Sequence, residues 1–207
     1  MKKIFLIFLI GVLCSLTFAS CSGDYSKDTC DFSGLEFSDW GETNRLFYTN
    51  LDDLEKDSEI IVIGTFTDDT KQEEIYQYNS HFQKDILATI ISTNSIEVLN
   101  VIKGDVKAGD TIPVTQDYGI SDNQFIAISR LTPMLKGDTW LFFLSENKSE
   151  IRKGKYSCTG DNDGRYPLEN FSYRKTALTD NEDLGVYNKE DFREDIYKEI
   201  LEKYDLG

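Results

Sequence analysis

Ile60-Ile61-Val62-Ile63-Gly64-Thr65-Phe66 is the stretch whose reading decides the fold. Branching at Cβ restricts χ1 and disfavours a helix turn, so four such residues in succession favour extended backbone. The run is short, bounded by Asp-rich segments and apolar without alternation, which predicts a buried strand. Thr139-Trp140-Leu141-Phe142-Phe143-Leu144 has the same character and is the most apolar run beyond the N-terminal segment. It follows a Leu135-Lys136-Gly137-Asp138 turn and belongs to the core as well.

Between these two runs the pattern stays that of strands. Leu87-Ala88-Thr89-Ile90-Ile91 and Ser95-Ile96-Glu97-Val98-Leu99-Asn100-Val101-Ile102 are expected as two strands, the second half-buried. Lys103-Gly104-Asp105 and Lys107-Ala108-Gly109-Asp110 punctuate a short link to a strand at Thr111-Ile112-Pro113-Val114-Thr115, where Pro113 calls for an edge or a strand start. Residues 125–131 form a further candidate strand, and Lys155-Tyr156-Ser157-Cys158 and Gly164-Arg165-Tyr166-Pro167-Leu168 two short ones. Residues 68–84 and 117–124 are polar and read as an irregular excursion and a loop. Helices are expected only at the ends of the domain. Asn50 can cap a short one running to Lys56, with Asp52 and Asp53 at its positive end. Phe192, Ile196, Ile200 and Tyr204 recur every four residues and mark an amphipathic C-terminal helix. The fold class is mainly β.

The N-terminus says where the chain works. Lys2-Lys3 precede an apolar run from Ile4 to Leu13, and Ala19-Ser20-Cys21 follow. That order is a secretory signal with a cleavage site, too short to persist as a spanning helix. Phe18-Ala19-Ser20-Cys21 resembles the lipobox of bacterial lipoproteins, with Phe18 where that family usually has Leu. The resemblance implies that Cys21 takes acyl chains, palmitate among them, and becomes the mature N-terminus at the extracytoplasmic face of the cell membrane. Ordinary cleavage after Ser20, releasing a soluble protein, is the alternative. The organisation expected is a signal peptide at 1–20, a Ser-, Asp- and Gly-rich lipidated tether at 21–44, and a β-barrel domain with its C-terminal helix at 45–207.

Charge and cysteine usage narrow the function. The chain carries a net charge of −15, and loss of Lys2 and Lys3 with the leader makes the remainder more acidic still. Such a field repels nucleic acid and anionic headgroups, so no nucleic-acid partner is expected. With Cys14 in the leader and Cys21 on lipid, Cys30 and Cys158 remain. An exported protein permits a disulfide between them, closing a long loop worth about 4–5 kcal/mol; two free thiols are the alternative.

No motif supplies chemistry. Asp161-Asn162-Asp163-Gly164 has the start of a calcium loop but not its closing glutamate, so a plain Asp/Asn/Gly turn is expected and no metal. His81 is the single histidine, and no nucleophile elbow accompanies it. No cofactor and no catalytic residue is expected.

Ile60 to Thr67, then Val98-Leu99-Asn100-Val101-Ile102-Lys103-Gly104-Asp105, Gly109-Asp110-Thr111-Ile112-Pro113-Val114, Leu135 to Leu144 and Gly164-Arg165-Tyr166-Pro167 together resemble a group of uncharacterised bacterial surface lipoproteins. These are similar in pattern to the netrin-like domain, the fold of tissue inhibitors of metalloproteinases. The resemblance covers about residues 50–170. It implies an OB-like five-stranded barrel flanked by helices, and it raises metalloprotease inhibition, in which a free N-terminal cysteine chelates the catalytic zinc. Lipid on Cys21 and the long tether oppose that role. The expectation is therefore a membrane-anchored, non-catalytic binding module for a protein partner in the cell envelope. Its contact surfaces are expected at 68–84 and 117–124, because barrels recognise partners through loops. Inhibition stands as the alternative.

Overall fold

The computed structural model describes residues 35–41, 46–67, 69–128, 131, 134, 136–137, 139–168 and 193–206. Its elements in chain order are β1 (Glu36–Asp39), α1 (Leu51–Asp57), β2 (Ile60–Phe66), β3 (Lys71–Asn79), β4 (Lys84–Lys103), β5 (Thr111–Gln116), β6 (Tyr118–Ser121), β7 (Gln124–Ala127), β8 (Thr139–Glu146), β9 (Tyr156–Cys158), β10 (Arg165–Pro167) and α2 (Arg193–Tyr204). The protein is mainly β. A closed barrel of five strands forms its body, each paired to the next in the order β2, β4, β5, β9, β8 and back to β2. All these pairs are antiparallel except β5 with β9, which touch in parallel register at Val114 and Tyr156 only. Pro113, next to that single pair, sits beside an edge of β5 with no other strand partner among the described residues, as its missing N–H requires.

The unbroken apolar runs have a direct cause. Successive side chains of a strand point to opposite faces. In β2 and β8, Ile60, Val62, Phe66, Trp140, Phe142 and Leu144 point into the barrel, where they meet Ile96, Val98, Ile112 and Val114. The residues between them, Ile61, Ile63, Leu141 and Phe143, point outward under α1 and α2, against Leu51, Leu54, Ile196 and Ile200. Both faces of this wall are covered, so neither can be polar. Gly64 lets the wall curl: a Cβ there would lie 2.3 Å from Ile96 Cγ2 and 2.9 Å from the Glu97 carbonyl oxygen. The β2–β4 register shifts at this point, between Ile63 and Gly64.

Helix α1 is capped as its sequence indicates, with the Asp53 amide donating to Asn50 Oδ1 at 2.9 Å. Its far end is closed by Lys103 Nζ, which donates to the Glu55 and Ser58 carbonyls at 2.6 Å. Helix α2 is fastened to it. Glu199 accepts from the Leu51 amide at 3.1 Å, Lys203 Nζ donates to Glu55 Oε2 at 2.7 Å, and the Tyr204 hydroxyl donates to Glu55 Oε1. Phe192, the first residue of the expected apolar stripe, lies outside the described residues, as do Cys21 and Cys30.

Four sequence expectations change. The strands expected at 87–91 and 95–102 are one strand, β4, twenty residues long. Its second half forms barrel wall against β2 and β5, and its first half pairs with β3. Residues 68–84 are therefore not an irregular excursion, because β3 fills most of them. Residues 117–124 are not a loop either: β6 and β7 make a hairpin there. Part of the expected tether also belongs to the folded body, since β1 adds to β7 in parallel and completes a three-stranded sheet.

Candidate functional site

The two segments expected as contact loops lie against each other. Gln72 on β3 forms a double hydrogen bond with the backbone of Ile120 on β6: Gln72 Nε2 donates to the carbonyl and the Ile120 amide donates to Gln72 Oε1, both at 2.7 Å. Ser92 Oγ donates to the Tyr118 carbonyl at 2.7 Å, and the Tyr118 hydroxyl reaches Asn94 Oδ1 at 3.4 Å. Gly119 makes the approach possible, since a Cβ there would sit 2.2 Å from Ile90 Cγ2 and 2.6 Å from Gln72 Oε1. A buried cluster of Tyr118, Phe125, Ala127 and Leu131 supports the small sheet, and the paired guanidinium of Arg152 and carboxylate of Asp117 hold its start.

Beyond this base the β3–β4 hairpin continues into solvent. Tyr76 is 55 % exposed, Tyr78 67 % and Phe82 61 %. Single exposed apolar side chains are ordinary, but three large aromatics on one hairpin are not. The hairpin is well ordered locally. Nine register pairs run from Lys71↔Thr93 to Asn79↔Lys84, with one bulge that leaves Ala88 unpaired. At the tip, Asn79 Oδ1 accepts from the His81 and Phe82 amides at 2.9 and 3.1 Å, which fixes the turn. His81 sits exposed at this tip with its ring edge-on to Phe82. The neighbouring β6–β7 turn is a two-residue loop, with Asp122 at φ 48° and Asn123 at φ 61°, the geometry that tight hairpins require.

A second feature is a groove of about 410 Å³ beside β9, lined among others by Tyr48, Asp57, Ser145, Asn147, Ser157 and Thr159. Its polar atoms largely satisfy one another. Ser145 Oγ and Thr159 Oγ1 lie 2.7 Å apart, Ser58 donates to Thr159 at 3.0 Å, and Asn147 Nδ2 donates to Thr115 and Ser157 at 3.0 and 2.9 Å. The Tyr48 hydroxyl donates to Asp57 at 3.1 Å, and burial first, then that bond, pushes it up to about 12. Cys158, which lines the groove, is buried with no disulfide partner among the described residues, and burial raises its thiol to about 11. At neutral pH it stays protonated, which makes it a poor nucleophile. Asp161-Asn162-Asp163-Gly164 forms a 3-10 turn in which Asn162 Oδ1 accepts from Arg165. Among the described residues no three His, Cys, Asp or Glu side chains converge as metal ligands, and no helix is long and apolar enough to cross a membrane.

The signal that locates the hairpin is present in the sequence. Glu74, Tyr76 and Tyr78 recur every second residue ahead of an Asn-Ser turn. With both faces in solvent, however, the strand shows no apolar alternation to stand out. No family model and no curated protein matches the chain.

Proposed function

We propose that this chain is a lipid-anchored, extracytoplasmic binding module that holds a protein partner on its β3–β4 hairpin and performs no catalysis. The observation that carries this reading is the trio Tyr76, Tyr78 and Phe82, exposed on a braced hairpin. Tyrosine and phenylalanine give large contact area with few rotatable bonds, which suits a recognition surface. We read the barrel as OB-like. In chain order the strands of the ring stand first, second, third, fifth, fourth, and the third and fifth meet in parallel. On that reading the hairpin is an enlarged connection between the first two barrel strands, a place where OB-like barrels make contacts. The anchor is the Cys21 thioether, with the small residues Ala19 and Ser20 before it.

The test is photo-crosslinking in the native envelope with the lipidated chain, cross-linker placed at His81, exposed at the tip beside Phe82. A discrete partner is expected. The combined Tyr76→Ala, Tyr78→Ala and Phe82→Ala variant is expected to lose it while melting at the same temperature, since exposed side chains contribute little to stability. Retention of the partner by that variant overturns the reading. The OB-like order also keeps metalloprotease inhibition in view. A chain beginning at Leu35 lacks Cys21 but retains β1 and the barrel; it should bind the partner undiminished, and zinc chelation by a free Cys21 requires that it inhibit nothing while a Cys21-initiated chain inhibits.

A further inference from the structure

The hairpin has two faces of different charge. Alternation along β3 puts Glu74, Tyr76 and Tyr78 on one face, and the pairs Tyr78↔Asp85 and Tyr76↔Leu87 add Asp85 and Leu87 to it. A hydrogen bond of 2.7 Å from the Tyr76 hydroxyl to Glu74 Oε2 shows the shared face directly. Asp122 approaches from the β6–β7 turn. The bond to Glu74, then partial desolvation and the charges of Glu74 and Asp122, raise the Tyr76 hydroxyl above its ordinary value. Both lysines of the hairpin, Lys71 and Lys84, stand on the opposite face with Glu73, opposite Thr93 and Asn79. One face thus presents two tyrosine rings among three exposed carboxylates, with no hairpin lysine to neutralise them.

We propose that this face receives a basic segment of a protein partner, with arginine or lysine side chains lying over the Tyr76 and Tyr78 rings and bonded to Glu74, Asp85 and Asp122. The inference rests on reading the hairpin as the contact surface. A cation over a tyrosine face is attracted by the ring quadrupole, and a carboxylate beside it adds a charge-assisted bond. The face is open and elongated, so an extended polypeptide covers it where a small cation would remain largely in solvent. A second copy is the wrong occupant, because the same face meeting itself would bring like carboxylates together. Anionic lipid and nucleic acid are repelled for the same reason.

Titration of the full lipidated chain in neutral detergent with alternating Arg-Ser, Lys-Ser and Glu-Ser peptides, at several salt concentrations, tests it. The Arg-Ser peptide should bind saturably and more weakly as salt rises, Lys-Ser less tightly, and Glu-Ser not at all. Tyr76→Ala with Tyr78→Ala leaves the charge unchanged and should weaken binding roughly tenfold. Glu74→Gln with Asp85→Asn should weaken it comparably, and Glu73→Gln on the other face by less than about twofold. Equal losses from Glu73→Gln and Glu74→Gln, or an inert tyrosine pair, would reduce the effect to diffuse attraction and overturn the proposal. So would absence of saturable binding. A hairpin-dependent cross-linked partner that the Arg-Ser peptide fails to displace overturns this inference while leaving the hairpin as contact surface. Peptide binding without any hairpin-dependent partner does the reverse.

Discussion

Gly64 and Gly119 each stand where atoms of neighbouring strands come closer than a Cβ allows: the Ile96 side chain and Glu97 carbonyl at Gly64, and the Ile90 and Gln72 side chains at Gly119. Neither is needed for an unusual φ; the demand is steric. Gly64→Ala would force Ile96 and the β4 backbone away from β2 in the barrel wall. It should destabilise the fold by about 1–3 kcal/mol, measured by urea denaturation. A Gly109→Ala comparison separates sterics from backbone strain, since Gly109 has φ 89° and a Cβ there would meet nothing within 4 Å. Gly119→Ala acts elsewhere. It should loosen the seat of β6 against Gln72 and Ile90, and so increase amide exchange at Ile120 more than at Val98. At this scale the sequence was least readable. A glycine in a strand signals a bulge or a close approach, but not what approaches.

At the level of elements, α2 is held by packing and by charge, and the two can be measured apart. Ile196 and Ile200 are buried against α1 and β8. Ile196→Ala should cost about 2–5 kcal/mol in a denaturant titration, whereas Lys198→Ala on the exposed side should stay within about 0.5 kcal/mol. The charged clasp depends on pH. Burial works against the Glu55 carboxylate, but the bonds from Lys203 and Tyr204 outweigh it and hold its pKa below the ordinary 4.5. The folded state thus binds fewer protons than the unfolded one in that range. The stabilisation is fully present above pH 4.5 and is lost as the pH falls through the depressed value. Glu55→Gln should therefore lower the melting temperature at pH 7, and its difference from the unaltered chain should shrink under acid. Tyr48 titrates on the other side: its stabilisation holds below pH 10 and fades as the pH rises through about 12. Which elements the sequence announces follows from burial. β2 and β8 are covered on both faces and read as unbroken apolar runs, and α2 shows its stripe because one face is covered. Beyond its base the hairpin is covered on neither face, so the alternation of Glu74, Tyr76 and Tyr78 carries no buried apolar stripe, and the polar residues of β3 look like a loop.

For the whole molecule, the mainly β class was legible because apolar runs are separated by Gly-Asp turns, while closure of the barrel was not, since the parallel β5–β9 contact and the β2–β8 pairing join residues far apart in the chain. The location of the protein rests on its first residues. Cys21→Ala should move it from the membrane fraction to the soluble fraction, or leave it as unprocessed precursor. Mass spectrometry of the unaltered protein should find a lipid adduct on Cys21; a bare cysteine would remove the anchor from the proposal.

The twenty-residue strand β4 also has a mechanical meaning. A pull on the hairpin tip enters the barrel along one continuous backbone, not across a jointed linker. There β4 is flanked by β2 and β5, whose hydrogen bonds lie across the line of force. Those ladders are loaded in shear, many bonds at once, while β3 at the tip can only be peeled. Force on a captured partner would thus separate the hairpin before it opened the barrel, which makes β3–β4 the compliant element of the molecule and β2–β4–β5 its rigid mount.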